Sequence, residues 1–366
     1  MPPLKKEHIA LFVLLRAGLW ERQPDDWSVF PLSEADWEGV FLLSRRQTVT
    51  GIVYRGLHYL PCDYLPSESL LVRWVATVDR IERENRKMNG ILSELENFFR
   101  HNGIRAVVQK GQGVSLLYER PLLRECGDID LYFLSREEAK SAVALVQDKG
   151  CRPKKRPDGS ISYTWQGIEV EHHPVLFDLQ NPFLKSYLSF LVRKEGFREV
   201  SLSQECAGTI MVLSPVLNLL LLNAHIMKHT LGLGIGLRQF CDMARACYSV
   251  FGQIDFTEMK AVYRKTGIEK WSVLLHSFLV HNLGLPTACQ PYEEKEFTSS
   301  EALLDIVLCG GNFGRYSAGR DKACRRQWQR KLHTLGSFCR NYRFSSAYAP
   351  AETFWTSLNL FWGQIG

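Results

Sequence analysis

Two aspartates separated by one residue stand out as a possible chemical site. Asp128 and Asp130 lie in Gly127-Asp128-Ile129-Asp130-Leu131, where polar and apolar residues alternate as in a strand. Because side chains alternate across a strand, both carboxylates are expected on one face, with Ile129 and Leu131 turned toward a core. Carboxylates held this close repel each other unless a cation lies between them. Oxygen ligands of this kind suit Mg²⁺, which keeps waters for substrate phosphates.

A second acidic pair with the same spacing follows on a later predicted strand. Glu169 and Glu171 are expected on one face, with the apolar residues beside them in the core. If this strand lies next to the first, Glu171 completes a two-metal site with Asp128 and Asp130. Such a site activates an attacking oxygen and stabilises a leaving pyrophosphate. The alternative is that both pairs are ordinary solvated strand faces.

A glycine-containing turn precedes the aspartates. Lys110-Gly111-Gln112-Gly113 lies between a predicted strand, Ile104–Val108, and a predicted short helix, Val114–Tyr118. A helix N-terminus preceded by glycines exposes backbone N–H groups that bind phosphate. A glycine turn alone is usually only a turn, so its weight comes from its position before the Asp-x-Asp strand.

The order of these motifs resembles a known group of enzymes, the DNA polymerase beta-like nucleotidyltransferase superfamily. A closer resemblance is to a bacterial family of uncharacterised nucleotidyltransferases, whose genes often accompany polysaccharide-biosynthesis genes. It rests on Lys110-Gly111, Leu116-Leu117-Tyr118, Arg124 and Gly127–Leu131, and on the later Val170-Glu171-His172-His173. The resemblance covers roughly residues 90–250. One departure is Gln112, because the superfamily usually has serine or glycine at this place.

The resemblance implies roles for individual residues. The implied catalytic metal ligands are Asp128, Asp130 and Glu171, with Mg²⁺ or Mn²⁺ as the cofactor. The implied nucleotide-binding residues are Lys110, Gly111, Gln112, Arg124 and His173. Lys110 would neutralise phosphate charge, and Arg124 would clamp a phosphate with two parallel hydrogen bonds. A solvated lysine, a structural arginine and a structural histidine remain the alternatives.

A downstream helix carries a weaker set of candidates for the substrate cleft. His225, Lys228 and His229 share a helix face because they are three and four residues apart. The histidine spacing also suits zinc, although no third ligand is evident. Asp242 would orient Arg238 or His229, or simply lie on a helix surface.

Periodicity divides the chain into three regions. Residues 1–102 are predicted to be helical, 103–205 to form the nucleotidyltransferase core, and 206–366 to form a C-terminal helical domain. The predicted fold class is therefore α+β: a small α/β domain with a mixed sheet of the polymerase beta-like type, flanked by helical regions. Two pieces of this prediction are a long helix from Ser67 to Asn102 and a helix starting at Ser214-Pro215.

Composition narrows the class of protein. The 366 residues include 45% hydrophobic and 23% charged residues, as in ordinary globular proteins, and no apolar run is long enough to span a bilayer. Ten cysteines without a CxxC pair favour free thiols in a reducing cytoplasm. The formal net charge of +6 suits an anionic substrate but does not by itself indicate nucleic-acid binding.

The expected function is Mg²⁺-dependent transfer of a nucleoside monophosphate from an NTP to a small acceptor, such as a sugar or sugar phosphate. One alternative is a catalytically inactive binding or regulatory protein with the same fold, which Gln112 favours. Another is an enzyme that modifies RNA or protein, with the basic segment Arg315–Lys331 as its contact surface. The sequence leaves the acceptor, the preferred base and the oligomeric state open.

Overall fold

The structure, a computed structural model, describes residues 4–156, 158–202, 208–232, 234–310 and 342–362. Its α-helices are α1 (Lys6–Trp20), α2 (Glu34–Arg46), α3 (Thr50–Leu57), α4 (Glu68–His101), α5 (Gln112–Ser115), α6 (Arg136–Asp148), α7 (Lys185–Glu195), α8 (Pro215–Leu231), α9 (Leu237–Ser249), α10 (Phe256–Lys265), α11 (Glu269–Leu283), α12 (Glu301–Gly310) and α13 (Pro350–Trp362). Its strands are β1 (Ala106–Val108), β2 (Ile129–Phe133), β3 (Lys154–Lys155), β4 (Ile161–Trp165), β5 (Ile168–His173), β6 (Phe197–Ser201) and β7 (Thr209–Leu213). Residues 342–348 are also helical, and the basic segment Arg315–Lys331 lies outside the described residues.

The N-terminal region is helical, with one difference from the sequence pattern. Helical spacing runs from Trp37 to Leu60, but the structure divides this segment into α2 and α3 around Thr48, whose φ is +53°. Gly56 lies where α1 and α3 pack together, since a Cβ there would lie 2.1 Å from the backbone oxygen of Leu14. The glycine that weakens helix propensity therefore allows a close contact between helices.

The seven strands form one mixed sheet in the order β3-β4-β5-β2-β1-β7-β6. β2 pairs in parallel with β5 and antiparallel with β1, and β1 pairs in parallel with β7. Because β7 begins at Thr209, the sheet contains residues on both sides of the predicted boundary at residue 205. The hairpin of β6 and β7 lacks a clear sequence signal, since no residue of β6 is buried.

The two faces of the sheet join different apolar clusters. Leu131 of β2 packs in one cluster with Leu95 of α4 and Val146 of α6. Val107 of β1 points to the other face and belongs to a larger cluster, which includes the N-terminal helices, α8, α9 and α11. The sheet thus has α4 and α6 on one face and helices from both ends of the chain on the other. The predicted α+β class with a mixed sheet is confirmed.

The long helix α4 spans Glu68–His101, within one residue of its predicted bounds at each end, and α8 begins at Pro215 as predicted. None of the helices in the described part of the chain combines the length and apolar character needed to span a membrane.

Candidate functional site

The pairing of β2 with β5 sets the positions of the acidic residues. In this parallel register Asp130 is opposite Glu171, and Tyr132 is opposite His173. Both acidic side chains are buried, with 6% of Asp130 and 8% of Glu171 exposed. Glu169, which shares their face of the sheet by alternation, is half exposed and pairs with Arg156. The sequence left open whether the Glu171 strand lies beside the Asp-x-Asp strand, and this register places the two side by side.

Asp130, Glu171 and His173 form a candidate metal centre. One ligand atom from each lies within 4.8 Å of the other two. His173 Nε2 is 2.5 Å from Asp130 Oδ1 and 3.8 Å from Glu171 Oε2. This contact is a hydrogen bond when Nε2 carries a proton, and the same nitrogen can bind a metal once the proton is lost. Two carboxylates and an imidazole are a donor set that fits a divalent cation.

Asp128 lies just before β2 and is not part of this three-residue cluster. It lines a cavity that Asp130, Glu171 and His173 also line. Burial, followed by the negative charge of Asp130, raises the pKa of Asp128 to about 6. For Asp130 the effect of burial is outweighed by Lys110 and His173, which hold its pKa below the ordinary value. Lys110 Nζ lies 3.4 Å from Asp130 Oδ1, and His173 Nε2 lies 2.5 Å from the same oxygen.

Glu171 is held by two residues from the β3–β4 hairpin. Arg156 Nη1 lies 2.8 Å from Glu171 Oε1, and the Ser160 hydroxyl lies 2.9 Å from the same oxygen. The backbone N–H of Ser160 donates to Asp158 Oδ1 in the hairpin turn. The turn therefore fixes the position of Ser160, which in turn orients Glu171. No local pattern in the sequence indicates that this turn lies against the acidic residues.

The glycine turn lies directly against the acidic segment. Gly111 has φ +53°, and a Cβ at this position would lie 3.3 Å from the backbone oxygen of Asp128. Lys110 and Gly111 line the cavity, whereas the Gln112 side chain is only 1% exposed and does not. Gln112 Oε1 has no hydrogen-bond partner among the described residues. Gln112 is therefore not part of the cavity lining, whereas Lys110 and Gly111 are.

Arg124 makes an ion pair inside the protein. Its Nε and Nη2 atoms each lie 2.7 Å from a carboxylate oxygen of Asp242, and Tyr118 also donates to that carboxylate. Both partners are buried, with 5% of the Arg124 and 4% of the Asp242 side chain exposed. Asp242 thus pairs with Arg124 and lies neither on a helix surface nor in contact with Arg238 or His229, and both Asp242 and Arg124 line the cavity. Asp242 anchors the loop before β2 to α9.

Helix α8 contributes the opposite part of the cavity lining. His225, Lys228 and His229 all line a cavity of about 320 Å³ together with Asp130 and Glu171. Lys228 Nζ is 2.9 Å from Asp178 Oδ2, and the two imidazole rings lie 4.4 Å apart. Burial and then the charge of Lys228 lower the pKa of His229 to about 3, so its ring is neutral. Among the described residues, the zinc alternative gains no third ligand at this pair.

Other cavity residues escaped sequence reasoning. Arg156, Asp158, Asp178 and Arg238 line the cavity, although none of them was a predicted site residue. Arg238 precedes Asp242 by one helical turn, which was the one available signal for its position. The remaining three lie on loops whose path depends on tertiary packing.

The chain is similar to known nucleotidyltransferases. A family model described as "uncharacterised nucleotidyltransferase" matches residues 33–284, more than half of the chain. Among solved structures, the chain is similar to an antigenic nucleotidyltransferase-like protein from Paracoccidioides brasiliensis, with 13% identity and a TM-score of 0.35. That alignment covers 59% of this chain and 96% of the other. No curated protein matches the sequence. On the family match, the chain belongs to the uncharacterised nucleotidyltransferase family.

Proposed function

We propose that this protein transfers a nucleoside monophosphate from an NTP to a hydroxyl or phosphate group of a small acceptor, such as a sugar or sugar phosphate. The observation that carries the proposal is the group of two buried carboxylates, Asp130 and Glu171, and the partly buried His173 in a cavity beside the glycine turn. The same order of elements supports a place in the polymerase beta-like superfamily. A role in a bacterial, cytoplasmic polysaccharide pathway belongs to this proposal too.

The acidic residues would hold one or two divalent cations. Asp130, Glu171 and His173 provide ligand atoms, and Asp128 supplies a further carboxylate from the same cavity. Mg²⁺ or Mn²⁺ bound there supplies Lewis-acid stabilisation of the charge that develops on the phosphoryl oxygens. The protein's own contribution is to hold these carboxylates at fixed positions, which Ser160 and Arg156 do for Glu171.

The triphosphate would lie against the turn after β1. Lys110 reaches Asp130 and places its positive charge at the cavity, where it offsets phosphate charge in the transition state. Gly111 and the backbone of Gln112 would border the phosphates, because Gly111 lines the cavity next to Asp128. Arg124 would act by holding the loop before β2 in place through Asp242.

The acceptor would bind near α8. His225 and His229 are neutral, because burial lowers the pKa of both imidazoles. A neutral imidazole has one nitrogen that donates a hydrogen bond and one that accepts, so it can bind an acceptor hydroxyl group, which also donates and accepts. The Lys228–Asp178 pair on the same wall adds a donor and an acceptor.

A screen of radiolabelled NTPs with Mg²⁺ or Mn²⁺ against sugars and sugar phosphates tests the proposal. We expect label transfer by the native protein and a loss on the order of 10³-fold in Asp130→Asn, since bound metal stabilises transition-state charge by several kcal/mol. Asp148→Asn, an exposed aspartate at the end of α6, is the charge-matched control and should retain activity. Transfer by Asp130→Asn at the native rate would refute the proposal.

A further inference from the structure

Most basic residues of the cavity are paired with a carboxylate. Lys110 lies beside Asp130, Arg124 beside Asp242, Arg156 beside Glu171, and Lys228 beside Asp178. These ion pairs compensate the positive charges within the protein. A basic side chain that already has an ion-pair partner contributes less free energy to the binding of another anion, because that anion must compete with the partner.

Arg238 differs from these four residues. It lines the same cavity, but within the described part of the chain no carboxylate lies in ion-pair range of its guanidinium. Its Nη1 donates to the backbone oxygen of Glu125 at 2.7 Å. Its Nε is buried and has no hydrogen-bond partner among the described residues. A buried N–H group without a partner is costly, so Arg238, unlike Arg124, has hydrogen-bonding capacity that no described residue uses.

The Arg238 side chain, and not the N-terminus of α9, is available to bind an anion. Arg238 is the second residue of α9, a position where backbone N–H groups often bind anions. Gln47 already occupies that end, since its side-chain oxygen accepts from Leu237 N at 2.9 Å and its backbone oxygen from Arg238 N at 3.4 Å. The guanidinium is thus the donor left for a ligand.

The Glu125 contact holds the guanidinium near the metal-binding segment. Glu125 stands three residues before Asp128, and its backbone oxygen also lies 3.5 Å from Arg124 Nη1. The Arg124–Asp242 pair therefore fixes the loop that positions Arg238. A planar guanidinium held at one nitrogen still offers further N–H groups, and phosphate oxygens match their geometry.

We propose that Arg238 binds the phosphate chain of the nucleotide. This assignment deepens the proposed function and rests on it for the identity of the ligand. The phosphate-binding part is separable, however, because inorganic tripolyphosphate carries the same oxygens without a nucleoside or a reaction.

The test is calorimetric binding of inorganic tripolyphosphate to the full chain without divalent metal. We expect Arg238→Met to weaken binding about tenfold or more, in line with loss of a charged hydrogen-bonded contact. Arg238→Lys should retain part of the affinity, because it keeps the charge but loses the planar donor pair. Arg83→Met, which removes an exposed arginine of α4, is the charge-matched control and should bind as the native protein does.

The same experiment separates this assignment from the proposed function. Asp130→Asn should lose metal-dependent transfer while still binding tripolyphosphate. Native affinity in Arg238→Met, or no binding by the native protein, would overturn the assignment even if transfer depends on Asp130. A second arm uses glucose 1-phosphate, which represents an acceptor phosphate. If Arg238→Met weakens only that ligand, Arg238 belongs to the acceptor site and the assignment is wrong.

Discussion

The two faces of the β2–β5 strand pair differ sharply in chemistry. On one face Ile129, Leu131 and Val170 are at most 1% exposed and pack in the apolar cluster with α4 and α6. On the other, Asp130 and Glu171 are nearly as buried but surround a cavity. The same register fixes both sets, because residues alternate along paired strands. The contrast teaches that stability and chemistry can be altered separately, one residue apart.

The largest expected effect on the apolar face comes from Leu131→Ala. Removing this fully buried side chain should lower the free energy of unfolding by about 2–5 kcal/mol, through lost burial and the cavity left behind. Urea unfolding measures the change. Below the unfolding transition, the affinity of the variant for Mn²⁺ should match that of the native protein. A loss of metal affinity with little loss of stability would contradict the proposal that one face serves stability and the other serves metal binding.

The buried carboxyl group of Glu96, on the apolar side of the sheet, is expected to make the stability of the protein depend on pH. Glu96 of α4 is 4% exposed, and burial raises its pKa from 4.5 to about 7 despite the opposing charge of Arg100. The folded protein therefore holds this proton more tightly than the unfolded chain. Protonated Glu96 therefore contributes on the order of 3 kcal/mol to the free energy of unfolding below about pH 4.5. This contribution is lost as the pH rises to about 7.

Glu96→Gln should remove that part of the pH dependence, because a glutamine stays neutral throughout. The measurement is urea unfolding of both proteins at pH 5 and pH 7.5. The native protein should lose more stability between these values than the variant does. Equal losses in the two proteins would show that Glu96 does not titrate in this range.

The smallest effect is expected at the hairpin that supports Glu171. Ser160 is fully buried and its hydroxyl lies 2.9 Å from Glu171 Oε1. Ser160→Ala should weaken metal binding about tenfold, a typical cost of removing a group that orients a ligand. Calorimetric titration with Mn²⁺ is suitable, and Ser93→Ala on α4 offers a control outside the cavity lining. Unchanged affinity in Ser160→Ala would mean that Arg156 alone orients Glu171.

The sequence predicted the parts of this site that depend on local pattern. The Asp-x-Asp and Glu171–His173 strands, the turn at Gly111 and the long helix α4 all follow from periodicity, caps and turn residues. Alternation also indicated that Asp128 and Asp130 share one face of their strand, and that Glu169 and Glu171 share one face of theirs. Whether the two strands are neighbours could not be predicted from the sequence, and the register shows that they are.

What the sequence did not predict depends on contacts between distant segments. Arg124 could serve a phosphate or a buried partner equally well by its type, and only the packing of α9 places Asp242 beside it. The β6–β7 hairpin was missed because its exposed strand has no apolar alternation. Arg156 and Arg238 enter the cavity from a hairpin and from a helix whose docking no local pattern specifies.

We propose that the charged face of β2 and β5 binds a divalent cation through Asp130, Glu171 and His173. Calorimetric titration of the native protein, Asp130→Asn and Asp148→Asn with Mn²⁺ tests it most directly, because it requires no knowledge of the acceptor. We expect saturable binding by the native protein and Asp148→Asn, and binding at least tenfold weaker in Asp130→Asn. Equal Mn²⁺ affinity in all three proteins would contradict it.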